Sequence, residues 1–257
     1  MRPTISIVVP VFREVENIPV LIRRVEQVAL AEGLTVELVI VDDKSEDGSR
    51  EAVAEMNRPW VRFKEREGPR DLSLAVVDGL RMARHDVLVV MDGDLSNPPE
   101  SIPALVDALT AGNDFAIGSR FVSGAAVDDD WGVGRWTNAL GARLLARPFT
   151  SVSDPLNGFF ALSRRLFEKA DPLRPIGYKI GLELMVKCGV QKAAEIPIPY
   201  ENRRHGRSKL NLRQRWNYIR HLSRLAAYCC RRALRPGSSL RHDLPVAMKR
   251  TSRRASR

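Results

Sequence analysis

The sequence predicts an α/β fold, a mostly parallel sheet flanked by helices. Between residues 5 and 118, short runs of β-branched and aliphatic residues alternate with stretches whose apolar residues recur at helical spacing. Repeated strand–helix–strand units use right-handed crossovers, which lay the strands side by side in one direction. The 257 residues, of which 44% are hydrophobic, suffice for one sizeable core.

Five strands and four helices are predicted in this first part of the chain. The strands cover residues 5–11, 36–41, 61–66, 87–91 and 114–118. The helices cover residues 16–32, which Gly33 ends, 49–57 after a turn at 45–48, 72–84 and 98–111. In such sheets a ligand binds beyond the carboxyl ends of the strands.

The remaining sequence is less regular until a long helix near its end. A Gly- and Asp-rich loop is predicted at 124–134, helices at 140–145, 164–170 and 180–188, and an extended strand at 193–199. Residues 212–232 predict a basic amphipathic helix. Its apolar face carries Leu212, Trp216, Ile219, Leu222, Leu225 and Cys229. Residues 235–257 show little periodicity and are expected to be disordered. The predicted units are a main domain at 1–210, the helix at 211–234 and the tail at 235–257.

The net charge of +10 is concentrated at one end of the sequence. Residues 203–257 hold 17 Lys and Arg against one acid, Asp243, a net of +16. The other 202 residues hold 24 basic and 30 acidic residues, a net of −6. A basic end on a nearly neutral body indicates an anionic partner there, and both nucleic acid and a phospholipid surface fit.

The composition also bears on the cellular setting. No uninterrupted apolar run reaches the length of a membrane span, and the short run near the N-terminus predicts a first strand rather than a signal peptide. Cys188, Cys229 and Cys230 lack metal-ligand spacing, and we expect no disulfide framework and a reducing compartment. We therefore expect a cytoplasmic protein without a transmembrane segment.

Carboxylates follow two of the predicted strands directly. Asp92 and Asp94, separated by Gly93, come after the apolar run 87–91, and Asp42 and Asp43 end the run before them. Two close carboxylates repel each other, and a divalent cation with phosphate ligands relieves this. A turn with two solvated aspartates is the alternative, but the placement at two strand ends favours a metal site. Gly93 would admit a ligand close to the backbone.

Asp42 and Asp43 suggest a different task. A carboxylate here can accept a hydrogen bond from a base or a ribose, or it can cap the following helix. We expect Ser45 or Asp47 to cap that helix, which leaves Asp43 for a ligand.

Seven strings, in order from residue 8 to residue 210, resemble family 2 glycosyltransferases with the GT-A fold. They are VVPVFREVENI, VIVDDKSEDGS, VLVVMDGDLSNPPE, IGSRF, DPLNGFF, GYKIGLE and RRHGRSKL. Within that family the sequence is most similar to the dolichol-phosphate (polyprenyl-phosphate) mannose synthases. The tail beyond about residue 232 is not covered by the resemblance.

The resemblance implies a role for each matched position. Nucleotide-sugar binding is implied for Pro10, Phe12, Glu14, Val41, Asp43, Asp92, Gly93, Arg203 and Lys209. Metal binding, of Mg²⁺ or Mn²⁺, is implied for Asp92, Asp94 and Ser96. Catalysis is implied for Asp94, Arg120 and Lys179, and contact with the acceptor phosphate for Arg120 and Arg135. Converging Arg and Lys suit two anionic reactants, a sugar diphosphate and a lipid monophosphate.

The chain departs from the family's pattern at four positions. Phe12 replaces a frequent Tyr, Ser96 a frequent Gln ligand, and Ala139 a frequent Ser. Asp71 stands in the string Arg70-Asp71-Leu72-Ser73, where Gly is expected. Ser96 is a weaker ligand than Gln, so water would complete the coordination. Asp71 would restrict backbone approach and add negative charge.

Taken together, the resemblance implies an inverting transferase that moves mannose from GDP-mannose to a polyprenyl or dolichyl monophosphate. A polyprenyl-phosphate glucosyltransferase, or another family 2 enzyme that uses a UDP-sugar, fits the same motifs. A nucleic-acid-binding protein fits the basic end but leaves the carboxylates unexplained, and a non-catalytic family member is the third alternative. A polyprenyl phosphate acceptor further implies a protein that is peripheral on the inner face of the membrane or depends on a partner membrane subunit. The basic helix would lie on an anionic membrane surface or simply pack on the main domain.

Overall fold

The computed structural model describes residues 2–127, 133–177, 179–200 and 212–234. The strands are β1 (Ile5–Val11), β2 (Val36–Asp42), β3 (Val61–Glu65), β4 (Val87–Val90), β5 (Phe115–Ser119), β6 (Ala126–Val127), β7 (Phe160–Ser163), β8 (Ala193–Pro197) and β9 (Pro199–Tyr200). The helices are α1 (Ile18–Glu32), α2 (Ser49–Met56), α3 (Leu72–Met82), α4 (Ile102–Thr110, after a 3₁₀ turn Pro99–Ser101), α5 (Val133–Ala146), α6 (Arg164–Glu168), α7 (Ile180–Lys187) and α8 (Leu212–Ala233).

Seven of the strands form one sheet in the order β3-β2-β1-β4-β7-β5-β8. β1 pairs in parallel with β2 and β4, β2 with β3, and β5 with β8. Strand β7 pairs antiparallel with both β4 and β5. A mostly parallel sheet flanked by helices is therefore confirmed. The strand β7, which the sequence analysis did not identify, supplies the antiparallel exception.

The sheet separates two hydrophobic layers because successive side chains of a strand point to opposite faces. In β1, Ile7 and Val9 join one layer with the buried residues of α1 and α4. Val8, between them, joins the other layer with α3, α7 and α8. Phe115 and Phe160, from neighbouring strands, stack in this second layer with ring centroids 5.1 Å apart.

Most predicted elements form within one or two residues of their expected ends. Gly33 ends α1 in the left-handed conformation at φ 60°, and its N–H donates to the carbonyl oxygens of Ala29 and Leu30. Helix α5 begins at Val133, earlier than the predicted 140. The predicted loop 124–134 includes the short strand β6, which pairs with β9, while residues 128–132 lie outside the described part.

Helix α8 has two different faces. Leu222, Leu225 and Cys229 are buried in the second hydrophobic layer, so the helix packs on the main body. Trp216 and Ile219, predicted for the same apolar face, are instead 63% and 47% exposed. The predicted tail at 235–257 lies outside the described residues. Among the residues described, no helix is both long enough and apolar enough to cross a membrane.

Candidate active site

The carboxyl ends of β1, β2 and β4 bring the predicted nucleotide and metal residues to one edge of the sheet. Pro10 lies beside Val41 in the register of β1 and β2. The N–H of Met91 donates to the carbonyl oxygen of Val8 at 3.1 Å, which carries the pairing of β1 and β4 up to Asp92. Residues predicted from three separate strings are thus adjacent in space.

Gly93 is required by the packing of this edge. A Cβ at position 93 would lie 2.9 Å from Cγ1 of Val11 and 3.4 Å from Cγ1 of Val9. The close approach that needs glycine here is to β1, whereas the sequence analysis gave ligand access as the reason. The packing holds the turn between Asp92 and Asp94 against β1.

Asp94 is held in place by its neighbour Ser96. The hydroxyl of Ser96 donates to Oδ1 of Asp94 at 2.7 Å, and the Ser96 N–H donates to the same oxygen at 3.1 Å. Both side chains are buried, and Leu95 between them has a positive φ of 60°. This local turn fixes the carboxylate before any ligand arrives.

Asp92 lies between two residues that the sequence analysis gave no role. The amide Nδ2 of Asn97 is 3.4 Å from Oδ2 of Asp92, and a Cβ on Gly158 would come within 2.6 Å of that same oxygen. Gly158 belongs to the segment that enters β7. Because β7 is antiparallel, its start meets the edge where the parallel strands end.

The donor set at this edge fits a hard divalent cation. Asp92, Asp94 and Ser96 offer oxygen atoms, and the buried Oδ1 of Asn97 has no hydrogen-bond partner among the described residues. Mg²⁺ and Mn²⁺ prefer oxygen ligands and keep sites open to water and phosphate. No group of three or more His, Cys, Asp or Glu suited to a metal occurs in the described ranges.

Arg120 and Asp154 form a paired charge at the same edge. Arg120 follows β5, and its Nε and Nη2 donate to the two carboxylate oxygens of Asp154 at 2.7 and 2.9 Å. The Arg120 N–H adds a third bond to Asp154 at 3.1 Å. A bidentate pair of this kind fixes the orientation of the guanidinium. Asp154 was part of a matched string but received no role from the sequence.

Lys179 lies among these charges at the start of α7. The pKa of its ammonium is lowered to about 8, chiefly by burial and then by the charge of Arg120. The carboxylates of Asp154 and Asp92 act in the opposite direction. Lys179 is therefore an electrostatic neighbour of both the metal-binding candidate Asp92 and the Arg120–Asp154 pair, as expected for residues that hold a diphosphate.

The carboxylates of Asp42 and Asp43 have different hydrogen-bond partners. Asp42 accepts a hydrogen bond from the N–H of Ser45 at 2.8 Å and another from the Ser45 hydroxyl. Asp43, 2% exposed, accepts from the guanidinium of Arg66, which also donates to Asp78 at 3.0 Å. Gly48 precedes α2 and has no side chain to cap it. Oδ1 of Asp47 instead accepts from the N–H of Ser49 at 3.1 Å and from its hydroxyl at 2.6 Å, so Asp47 caps the first residue of the helix as expected.

Phe12 and Glu14, also predicted to bind the nucleotide, follow β1. The ring of Phe12 lies under the guanidinium of Arg70, which is 3.7 Å from the ring centroid. Oε2 of Glu14 accepts from Nδ2 of Asn17 at 2.6 Å. Arg66 and Arg70 were not identified as site residues from the sequence, where isolated arginines carry no distinguishing signal.

Asp71 caps a helix and ties two segments together. Its Oδ1 accepts from the N–H groups of Ser73 and Leu74 at the start of α3, and its Oδ2 accepts from the Gly177 N–H at 2.9 Å. Burial raises its pKa, although these three backbone bonds act against that shift. The aspartate that replaces the family's glycine thus anchors the segment that leads to Lys179.

Three predicted residues are not placed by the structure. Arg203 and Lys209 lie outside the described residues, as does the side chain of Arg135, whose backbone belongs to α5. Their roles stay predictions.

Comparison with known proteins agrees with this architecture. The model of the family "Glycosyl transferase family 2" matches residues 6–170. The chain is 40% identical over 232 residues to a dolichol-phosphate mannosyltransferase of Mycosarcoma maydis, covering 87% of this chain and 79% of that protein. It is 35% identical to the Saccharomyces cerevisiae protein of the same name, covering 87% of each.

Solved structures share the fold at lower sequence identity. Mannosyl-3-phosphoglycerate synthase from Rubrobacter xylanophilus is 19% identical, with a TM-score of 0.68 over 91% of this chain and 78% of that one. Glucosyl-3-phosphoglycerate synthase from Mycobacterium tuberculosis, solved with Mn²⁺ and UDP, is 22% identical, with a TM-score of 0.66 over 88% of this chain and 79% of that one. The fold, the family model and the relatives confirm the resemblance: the chain belongs to glycosyl transferase family 2 and is a glycosyltransferase.

Proposed function

We propose that the chain transfers mannose from GDP-mannose to a dolichyl or other polyprenyl monophosphate, with inversion at the anomeric carbon. The observation that carries this proposal is the meeting of Asp92, the Arg120–Asp154 pair and Lys179 at one sheet edge. The names of the relatives at 35–40% identity support the choice of sugar and acceptor.

The donor would lie along the ends of β1 and β2. Pro10, Val41 and Asp43 line the nucleotide side, and Phe12 and Glu14 follow β1 directly. Arg66 orients the carboxylate of Asp43 because the two side chains are paired and buried together. A carboxylate fixed in this way can accept hydrogen bonds from a base or a ribose through its second oxygen.

The diphosphate would lie at Asp92 and Asp94. A divalent cation bound there, Mg²⁺ or Mn²⁺, would neutralise charge on the departing nucleoside diphosphate. The solved structures that share this fold include complexes of glucosyl-3-phosphoglycerate synthase with Mn²⁺ and with Mg²⁺. Ser96 holds Asp94 through two hydrogen bonds, so the carboxylate need not reorganise when the donor binds.

The acceptor phosphate would bind beside Arg120 and Lys179. Its oxygen is anionic near neutral pH and attacks the anomeric carbon without a strong general base. A new carbon–oxygen bond forms as the bond to the diphosphate breaks, and the bonding electrons leave with the nucleoside diphosphate. The residues at this edge orient the two anions and offset their repulsion.

The membrane-facing surface would be formed by α5 and α8. We define an outer apolar patch of exposed side chains on these two helices. Its members are Leu140, Leu144, Leu145, Trp216 and Ile219. The Tyr218 hydroxyl donates to the carbonyl oxygen of Ala142 at 2.8 Å, which joins the two helices beneath the patch. A peripheral position on the cytoplasmic face would bring the lipid phosphate to the enzyme.

The direct test is transfer to polyprenyl phosphate from a panel of nucleotide sugars, with Mg²⁺ or Mn²⁺, read as glycolipid product. GDP-mannose is expected to be the preferred donor, and preference for UDP-glucose would contradict the proposed donor. Asp94→Asn should reduce metal-dependent transfer by at least about 100-fold, since it removes a charge from the centre. Asp107→Asn, an exposed position on α4, is the control and should leave turnover unchanged.

A further inference from the structure

A large polar cavity lies away from the sheet edge, between α7, residues 169–174 and α8. Its volume is about 1040 Å³. Helix α7 runs from Lys179 at the sheet edge to Lys187 in the cavity wall, about 12 Å along its axis at 1.5 Å per residue. None of the proposed donor and acceptor residues that the structure describes belongs to its lining.

Positive charge dominates the walls of this cavity. Six basic side chains line it: Lys169, Arg174, Lys187, Arg224, Arg231 and Arg232. Only two acids accompany them. Asp171 pairs with Arg232 at 3.2 Å, and Glu183 pairs with Lys187 at 2.6 Å. No carboxylate of the described residues lies within 4.0 Å of the other four cationic groups, so the lining carries a net charge of +4 at neutral pH with His221 neutral.

Three buried polar side chains form the floor of the cavity. Glu183, Lys187 and His221 are 2%, 8% and 2% exposed. Oε1 of Glu183 accepts from the Arg174 N–H at 2.7 Å, but Oε2 has no hydrogen-bond partner among the described residues. It lies 3.9 Å from Nε2 of His221, beyond hydrogen-bond distance. Because Oε2 is a carboxylate oxygen and can only accept, a bound group would complete this network through a donor such as the hydroxyl of a protonated phosphate.

The pKa of His221 reflects the burial and the charges at the floor of the cavity. Its pKa is lowered, chiefly by burial, and Lys187 and Arg224 lower it further. Glu183 and a backbone bond to Ile176 act in the opposite direction. An anion in the cavity would favour the protonated ring and would raise the pKa of His221.

We propose that this cavity is a second anion site that binds a phosphate-bearing group. Arginine guanidinium groups bind phosphate oxygens in pairs, and Arg224 and Arg231 lie two turns apart on the same side of α8. The volume exceeds that of a single phosphate and suits a diphosphate or a phosphorylated headgroup. The source is either a soluble phosphate compound or an anionic lipid beside the outer face of α8.

The test uses the full chain and two matched variants. Arg224→Gln removes a lining charge, and Arg220→Gln removes the same charge from an exposed position on α8 outside the lining. Inorganic pyrophosphate is titrated without divalent metal while the His221 ring is followed by NMR. The chain has four histidines, and His221→Gln assigns the signal.

Pyrophosphate should raise the pKa of His221 in the wild type and in Arg220→Gln. Arg224→Gln should need at least about tenfold more pyrophosphate, which corresponds to about 1.4 kcal/mol. Equal responses of the two variants, or no response in the wild type, would overturn the proposal. This outcome is independent of whether the sheet edge transfers mannose, because catalysis is not measured.

Vesicles then separate the two sources. Binding to phosphatidylcholine vesicles is compared with and without phosphatidic acid. A lipid headgroup is supported if Arg224→Gln binds the phosphatidic acid vesicles more weakly than Arg220→Gln does. A soluble ligand is supported if the two variants bind vesicles equally while their pyrophosphate responses differ.

Discussion

Single residues at the sheet edge set the conditions under which the proposed reaction runs. Lys179 shares its surroundings with Arg120, Asp154 and Asp92, and its lowered pKa of about 8 follows from burial and the neighbouring guanidinium. A lysine is charged below its pKa and loses its proton as the pH rises through it. The attraction of Lys179 for anionic reactants is therefore present at neutral pH and is lost on the alkaline side.

The pH profile of transfer should show this titration. With the wild type, kcat/KM is expected to fall above a pH of about 8 because it reports the free enzyme. Lys179→Arg should move this fall to higher pH, since arginine stays charged. Lys192→Arg, an exposed lysine, is the control and should follow the wild type. Identical profiles for all three proteins would mean that another group titrates.

Gly158 gives a second residue-scale prediction because any side chain there meets Asp92. A Cβ would lie 2.6 and 2.7 Å from the two carboxylate oxygens, so Gly158→Ala must displace Asp92. The metal concentration needed for half-maximal transfer should rise by about 10- to 100-fold. Gly141→Ala in α5 has open space around its Cβ and should leave metal affinity unchanged. The measurement is a metal titration of the rate, with the fold checked by circular dichroism. An unchanged metal dependence in Gly158→Ala would place the metal elsewhere.

At the scale of elements, the joints between helices and loops determine how the charged residues meet. Asp71 caps α3 and also holds Gly177, two residues before Lys179. Arg66, directly after β3, joins Asp43 to Asp78 on α3. Because Asp43 is 2% exposed, removing Arg66 would leave the charge of Asp43 buried without this partner. The donor side and the Lys179 segment are thus both fastened to α3.

Asp71→Ala tests this joint. Loss of the cap should lower the free energy of unfolding by about 1–2 kcal/mol, measured in urea. Loss of the bond to Gly177 should also raise KM, because the segment before Lys179 loses an anchor. Asp71→Asn retains an acceptor for the α3 cap and should keep most of the stability. If Asp71→Ala changes stability alone, the link to the Lys179 segment has no catalytic consequence.

The sequence predicted the parts of the site that follow parallel strands. Asp43, Asp92 and Arg120 come directly after β2, β4 and β5, so strand assignment alone was enough to bring them together. Asp154 and Gly158 precede their strand instead. They reach the same edge only because β7 is antiparallel, and four residues between a loop and a helix gave no periodicity from which that direction could be deduced.

The ion-pair partners of charged side chains could not be predicted from the sequence either. Nothing in the string around Arg66 indicates that its guanidinium turns inward to Asp43, because a lone arginine has the same pattern on a surface. The capping of α3 by Asp71 is a local signal that was available, since an aspartate before an apolar helical run is a common cap. The sequence analysis instead expected Asp71, in place of glycine, to restrict backbone approach and to add negative charge.

At the scale of the whole molecule, the sheet divides the helices into two sets, one packed on each of its faces. Helices α5, α7 and α8 contribute to one hydrophobic layer, whereas α1 and α4 belong to the other. The outer apolar patch and four described basic side chains of α8, Arg220, Arg224, Arg231 and Arg232, therefore belong to the side of the sheet that carries α5, α7 and α8. An anionic membrane surface would be met by that side.

Vesicle flotation with point variants tests this orientation. Leu144→Ser, in the outer apolar patch, should weaken binding to phosphatidylglycerol vesicles by about tenfold, because about 1–2 kcal/mol of apolar burial is lost. Leu30→Ser removes the same side chain from an exposed site on α1, on the other side, and should bind as the wild type does. Equal weakening by both would contradict the orientation. Point variants are preferable to deleting α8, since Leu222 and Leu225 belong to the core.

The antiparallel strand β7 also affects the order in which the sheet can form. It inserts between β4 and β5, pairing Val90 with Phe160 and Phe115 with Leu162, so distant parts of the chain must meet before the sheet is complete. During synthesis, β1 to β4 emerge first and can pair with one another while Asp154 and Gly158 are still to be made. The half that holds the donor carboxylates is then complete in sequence but lacks the neighbours of Asp92 and Arg120. Catalytic competence should consequently begin only when β7 docks, late in the folding of the chain.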